Sequence, residues 1–271
     1  MTTRTRQRLP QWTYRIEQME SPVGEILLPN VDSADVSQDE EWCDAIVDGR
    51  RRRFRFHDYH ELFRVPGLYE NLFYRQLRCC SPSRITELLD ELVRESGERL
   101  EGLRCLDVGA GNGMVADELQ ARGADYIAGI DIIPEARDAA HRDRPGVYDD
   151  YFVADLTDLP EGQEERLRKA HFNCLTSVAA LGFSDIPAQA FAKALDLVET
   201  PAWLAFTIKE NFLYEEDASG FAQLIRDLSR CRVIQMQAYR RFSHRLSVTR
   251  EKLYYVAMIA RKLKDLPDDL L

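Results

Sequence analysis

The chain reads as an α/β fold in which a mostly parallel sheet carries helices on both faces. Three observations predict it. Apolar runs that carry an acid at or near their ends recur at residues 103–108, 126–131 and 151–156, with helical patterns between them. A glycine-dense turn, Gly109-Ala110-Gly111-Asn112-Gly113, joins the first run to a helix-forming segment. Two last apolar runs, 233–239 and 253–260, have no long helix between them and close as an antiparallel hairpin.

The elements follow in order. Residues 1–45 are polar and acidic around VDSADVSQDEEW and are expected to be partly irregular, with a short strand over 24–29. Arg50 to Arg53, with Phe54, Arg55 and Phe56, form the strong basic run. In an acidic chain so short a run reads as a solvated strand or helix edge, or an anion contact, before it reads as a nucleic-acid surface. Residues 57–77 carry a helical pattern broken at Pro66-Gly67. Tyr59, Phe63, Tyr69, Phe73 and Tyr74 within it suggest helices laid over a pocket mouth, with plain core packing as the alternative. Ser81-Pro82-Ser83 is expected to cap a helix over 84–95.

Leu103, Cys105, Leu106 and Val108 then read as a buried parallel strand, and Met114, Val115 and Leu119 share one face of the helix after the turn. Glycines allow positive φ and let a ligand touch the backbone, while the helix amino terminus points N–H groups into the same crevice. Further strands are expected over 172–178 and 202–208, with a helix over 187–198 between them.

A dinucleotide fingerprint would need glycine where Met114 stands. The G-x-G-x-G turn directly after Leu106-Asp107-Val108 instead resembles motif I of the class I S-adenosylmethionine-dependent methyltransferases. The resemblance covers roughly residues 80–262. It implies a Rossmann-like, seven-stranded, mostly parallel sheet with a reversed last strand, helices on both faces, and an N-terminal extension and lid. The expected division is 1–80 for the extension and helical lid, 81–265 for the cofactor-binding domain and 266–271 for a tail. S-adenosyl-L-methionine is the implied cofactor and S-adenosyl-L-homocysteine its product. The resemblance places Asp107, Gly109, Gly111 and Gly113 around the methionine part, Asp131 on the ribose hydroxyls, Asp155 on the adenine amino group and Leu156 at the ring edge. Ala110, Ile132 and Thr176 complete the expected cofactor set.

Ligands of an open α/β sheet bind beyond the carboxyl ends of its strands. That rule selects Thr176 and Ser177, Lys209, Glu210 and Asn211, and His244 with Arg245 for the acceptor side. His171 falls at the opposite edge, and His141 on the surface. Methyl transfer asks chiefly for alignment, and a base matters only where the nucleophile must lose a proton. Glu210 and His244 are the preferred bases, with His57 and His60 next, an ordinary hydrogen bond or ion pair being the simpler role for each. Arg245 is a candidate either to hold an acidic acceptor group or to pair with Glu210.

With 271 residues, 45% of them hydrophobic, the chain can bury a full core. Its formal charge of −10 disfavours nucleic acid, whose binding needs a surplus of Lys and Arg. The segment Asn173-Cys174-Leu175-Thr176 lacks the paired prolines of amino-methylating nucleic-acid enzymes. A small-molecule acceptor, methylated at O, N or C in a biosynthetic setting, is therefore expected. Protein methylation, a non-catalytic cofactor-binding accessory protein, and a nicotinamide enzyme, which Met114 opposes, stand beside it. The six cysteines form no C-x-x-C metal pair and read as reduced thiols, and no metal is expected. No signal core opens the chain and no run approaches about 18 apolar residues, so a cytoplasmic protein without a membrane anchor is expected.

Overall fold

The computed structural model describes residues 21–31, 36–181, 185–213 and 219–267. The amino-terminal stretch 1–20 and the tail residues 268–271, both expected from sequence to be irregular or appended, lie outside them.

Three antiparallel strands come first: β1 (Val23–Leu27), β2 (Trp42–Val47) and β3 (Arg50–Arg55). The arginine run is thus an edge strand. Phe54 alone in β3 is buried, and Arg51 and Arg53 reach across to Asp44 on β2. Then follow α1 (Tyr59–Arg64) and a π-helical turn over Glu70–Gln76, separated at the expected Pro66-Gly67 break. Tyr59, Phe73 and Tyr74 from them join Cys43, Ala45, Phe54 and Phe56 in one apolar cluster that also takes in Met114 and Val248. The amino-terminal region therefore shares its core with the main domain.

The main sheet contains β4 (Arg104–Val108), β5 (Tyr126–Asp131), β6 (Asp150–Val153), β7 (Cys174–Leu181), β8 (Ala202–Lys209), β9 (Ile234–Leu246) and β10 (Lys252–Lys262). Their order is β6-β5-β4-β7-β8-β10-β9. The first five pair in parallel, and β10 runs antiparallel to both of its neighbours. This is the seven-stranded sheet with a reversed last strand that the sequence predicts.

Alternation along β4 sends Leu103 and Cys105 to one core and Leu106 and Val108 to the other. On the first face lie α2 (Ser81–Glu95), with Ile85, Leu88, Leu89 and Val93 buried at helical spacing, and α3 (Met114–Ala121). Each such side chain contributes about 1.5–3 kcal/mol on burial. The second face is covered by Leu167 of α5 (Glu161–Lys169), by α6 (Ala188–Asp196) and by α7 (Phe221–Arg230). Between β5 and β6, α4 (Pro134–Asp143) packs its alanines against Phe63 of α1.

Two local expectations change. Cys80, not the serine pair, takes the N-cap position of α2, and the Ser81 hydroxyl is spent on His244 instead. The last hairpin is longer than its apolar runs, because pairing with β10 carries the polar stretch Arg240–Leu246 along in β9. His244 and Arg245 therefore sit inside β9 rather than after it.

Candidate active site

The glycine turn leaves β4 through Gly109, Gly111 and Gly113, all in the left-handed region. Two of them meet tight neighbours. A Cβ on Gly109 would stand 2.7 Å from that of Ala180, and one on Gly113 would stand 3.0 Å from Val147. Gly113 starts α3 and packs against Val147, Tyr148 and Arg144, away from the two cavities above the sheet.

The turn is held from beneath and from the side. Asp131, the last residue of β5, accepts from the Gly111 N–H at 2.9 Å and from the Ile133 N–H at 3.0 Å. Tyr151 donates to the Gly111 carbonyl at 2.8 Å. Asn112 donates to the buried Glu70 at 2.6 Å, and that carboxylate also receives Arg144 at 2.8 Å. Through this pair the π-helical turn is tied to the glycine turn.

Asp107 is placed differently from Asp131. It is buried within β4, where Thr176 donates to one oxygen at 2.7 Å and Tyr148 to the other at 2.8 Å. Burial lifts its pKa to about 7, against the two hydrogen bonds. Neither Asp107 nor Thr176 lines either of the two cavities above the sheet; they brace the sheet under the turn.

Two adjoining cavities open above the carboxyl ends of β4, β5 and β7. The larger, about 500 Å³, is lined by Gly109, Gly111, Asp131, Ile132, Asp155 and Leu156 among others. Ile132 is 57% exposed, an apolar side chain presented to this space. Asp155 lies past the end of β6, where its carboxylate accepts from the Thr157 N–H and hydroxyl, hydrogen bonds that hold its pKa below the usual value. Burial raises that of Asp131.

The smaller cavity, about 70 Å³, is walled by Phe56, Tyr59, Tyr69, Phe73, Tyr74 and Tyr255, and Ala110 borders it. The aromatic residues of 57–77 thus line the cavities and pack the amino-terminal core at the same time. His244 lies in this wall, with Nδ1 2.6 Å from the Ser81 hydroxyl and its ring 4.1 Å from that of Tyr255. Burial, then the adjacent Arg245, pushes its pKa well below the usual imidazole value, so it is neutral. Arg245 pairs with the buried Glu41 rather than with Glu210.

His57 borders both cavities, and its Nδ1 lies 3.3 Å from Asp185, which borders both as well. The remaining expected bases are elsewhere. Glu210 pairs with Arg241 at 2.9 Å outside both cavities, and His60 faces solvent beside Glu61. Asp185 escaped the sequence reading because the fourth strand was expected to end at residue 178, whereas β7 runs to Leu181. Its sequence signal is an acid in the loop just before Ile186-Pro187. Among the described residues no group of three His, Cys, Asp or Glu side chains could hold a metal ion, and no helix is long and apolar enough to cross a membrane.

A ubiquinone biosynthesis O-methyltransferase of Azorhizobium caulinodans is 34% identical to this chain over 96 residues, which cover 32% of this chain and 38% of that protein. The match therefore spans well under half of that relative. The N-methyltransferase NodS of Bradyrhizobium japonicum, solved with S-adenosyl-l-homocysteine, superposes with a TM-score of 0.51 at 12% identity, covering 77% of this chain and 98% of that one. At that identity the likeness is one of fold. The methyltransferase-domain family matches residues 77–247, most of the chain. The chain accordingly belongs to this family and is a class I S-adenosylmethionine-dependent methyltransferase.

Proposed function

We propose that S-adenosyl-L-methionine occupies the larger cavity and that a small-molecule acceptor, methylated at O, N or C, enters the smaller one. The lining of the larger cavity suits the cofactor. Asp131 keeps lone pairs beyond its two backbone hydrogen bonds for ribose hydroxyls, Ile132 and Leu156 offer apolar contact to a flat ring, and Asp155 stands ready for an amino group. Gly109 and Gly111 bring bare backbone to the methionine part. Asp107, Thr176 and Gly113 serve this site by shaping the turn. When bound, the cofactor supplies a methyl group made electrophilic by its sulfonium.

The protein's own share is alignment, exclusion of water and removal of a proton. His57 is assigned as the base. Asp185, 3.3 Å from Nδ1, favours the tautomer protonated there, which makes Nε2 the atom to take a proton from an acceptor hydroxyl or amine. The observation that carries this reading is the position of the His57–Asp185 pair on the seam between the two cavities. The described residues between 36 and 80 act as the lid, and their aromatic side chains keep water out. An enclosed chamber this small favours a small molecule over a protein side chain presented on a large surface.

The test is transfer from methyl-labelled cofactor into a cell extract separated into low-molecular-weight and protein fractions. Label in the small-molecule fraction supports the assignment. Label confined to protein overturns it.

A further inference from the structure

The smaller cavity holds a polar feature that none of the roles above uses. Gln38, from the 3₁₀ turn Gln38–Glu40, donates its amide N–H to the Tyr255 hydroxyl at 2.9 Å. Its carbonyl oxygen Oε1 is buried with no hydrogen-bond partner. The Tyr255 hydroxyl already accepts from Gln38, and its own hydrogen has no acceptor among the described residues. An orphaned buried acceptor costs about 1–3 kcal/mol, so it calls for a partner. Both residues line the smaller cavity.

A carbonyl and a hydroxyl hydrogen thus stand side by side. Turning the Gln38 amide over exchanges the roles and leaves the same combination, an NH₂ donor beside a phenolic oxygen acceptor. The surroundings add a second constraint. His244 is neutral, and Arg245 is closed off by Glu41. The rest of the wall is mostly aromatic and aliphatic, and Asp185 at its edge is paired with His57. An anion entering this chamber would lose its hydration without a free counter-charge, whereas a flat neutral ring would stack on the walls.

Resting on the reading of this cavity as the acceptor chamber, we propose that Gln38 and Tyr255 recognise a neutral, planar acceptor that carries a hydrogen-bond donor and acceptor on one edge, as a lactam, carboxamide or enolised ketone does. Gln38 and Tyr255 are then specificity-determining residues. They fix which edge of the ring faces inward and so which atom is presented at the His57 seam.

The test is ligand-detected NMR with 2-pyridone and benzamide as probes, and toluene and benzoate as controls lacking the edge or the neutrality. Each is titrated with and without saturating S-adenosylhomocysteine. The two probes should bind, with toluene and benzoate weaker by roughly ten-fold. Gln38→Met and Tyr255→Phe should each weaken 2-pyridone by about five-fold while leaving homocysteine-cofactor affinity unchanged. The proposal falls if toluene or benzoate binds as well as 2-pyridone, if both variants bind 2-pyridone as the native chain does, or if no probe binds. Failure of S-adenosylhomocysteine to bind would count against the cofactor site instead, and the titration without it would still decide the chamber.

Discussion

Asp107→Asn should stabilise the protein at neutral pH and leave cofactor affinity nearly unchanged. The native carboxyl is buried, its two oxygens are met only by the Thr176 and Tyr148 hydroxyls, and Asp131 adds repulsion of like sign. Burial is the largest cause of the rise in its pKa from 3.8 to about 7. Because the folded value exceeds the unfolded one, folding takes up a proton between the two. The stability contributed by the neutral acid is complete below pH 3.8 and is lost as pH rises through about 7. At about 1.4 kcal/mol per unit, the loss approaches about 4 kcal/mol on the alkaline side. Asparagine stays neutral throughout. Its Oδ1 can accept from Thr176, and its amide can donate to Tyr148, whose own hydrogen then turns to the Ala110 carbonyl 3.1 Å away. Urea unfolding at intervals from about pH 4 to about pH 8 should therefore show the native chain losing stability relative to the variant as pH rises. Parallel curves, or a variant less stable at the alkaline end, would refute the account. Calorimetric titration with S-adenosylhomocysteine checks the second half, since Asp107 lines neither cavity.

Other perturbations separate the remaining roles. Asp131→Ala removes the proposed ribose partner and the support of the Gly111 N–H, so calorimetry should find S-adenosylhomocysteine bound more weakly by about 1–3 kcal/mol. His57→Gln should lower kcat by about 10²–10⁴ with cofactor Kd unchanged, and Asp185→Asn should act in the same direction, both read in single-turnover assays once an acceptor is found. Glu70→Gln leaves Arg144 buried without its counter-charge, and urea unfolding should register a loss of about 3–5 kcal/mol. Glu210→Gln breaks only a partly exposed pair with Arg241, so stability should fall by at most about 1 kcal/mol and turnover should match the native enzyme.

The sheet was legible because its signals are local. Apolar alternation, a glycine turn and the strands of a closing hairpin are each contained in a few consecutive residues, and they recover the seven strands with their reversed end. Partners were not legible. Arg245 finds Glu41, Asn112 finds Glu70 and His57 finds Asp185, each across a long stretch of chain, and such choices depend on which loops the topology brings together. The same limit explains β9, whose polar end is a strand only because β10 lies beside it.

The three strand-end acids show a finer distinction that the sequence does contain. Asp107 is followed by Val108, still within β4, so the pleat turns its side chain sideways into the packed layer beneath the turn. Asp131 is the final residue of β5, and Asp155 comes after β6 has ended, so both carboxylates reach the crevice above the sheet. One further apolar residue before the first glycine is enough to move an acid from the cleft to the foundation. An acid's place relative to the last paired residue of its strand, more than its presence near the strand end, therefore determines whether it can meet a ligand or must be neutralised within the fold.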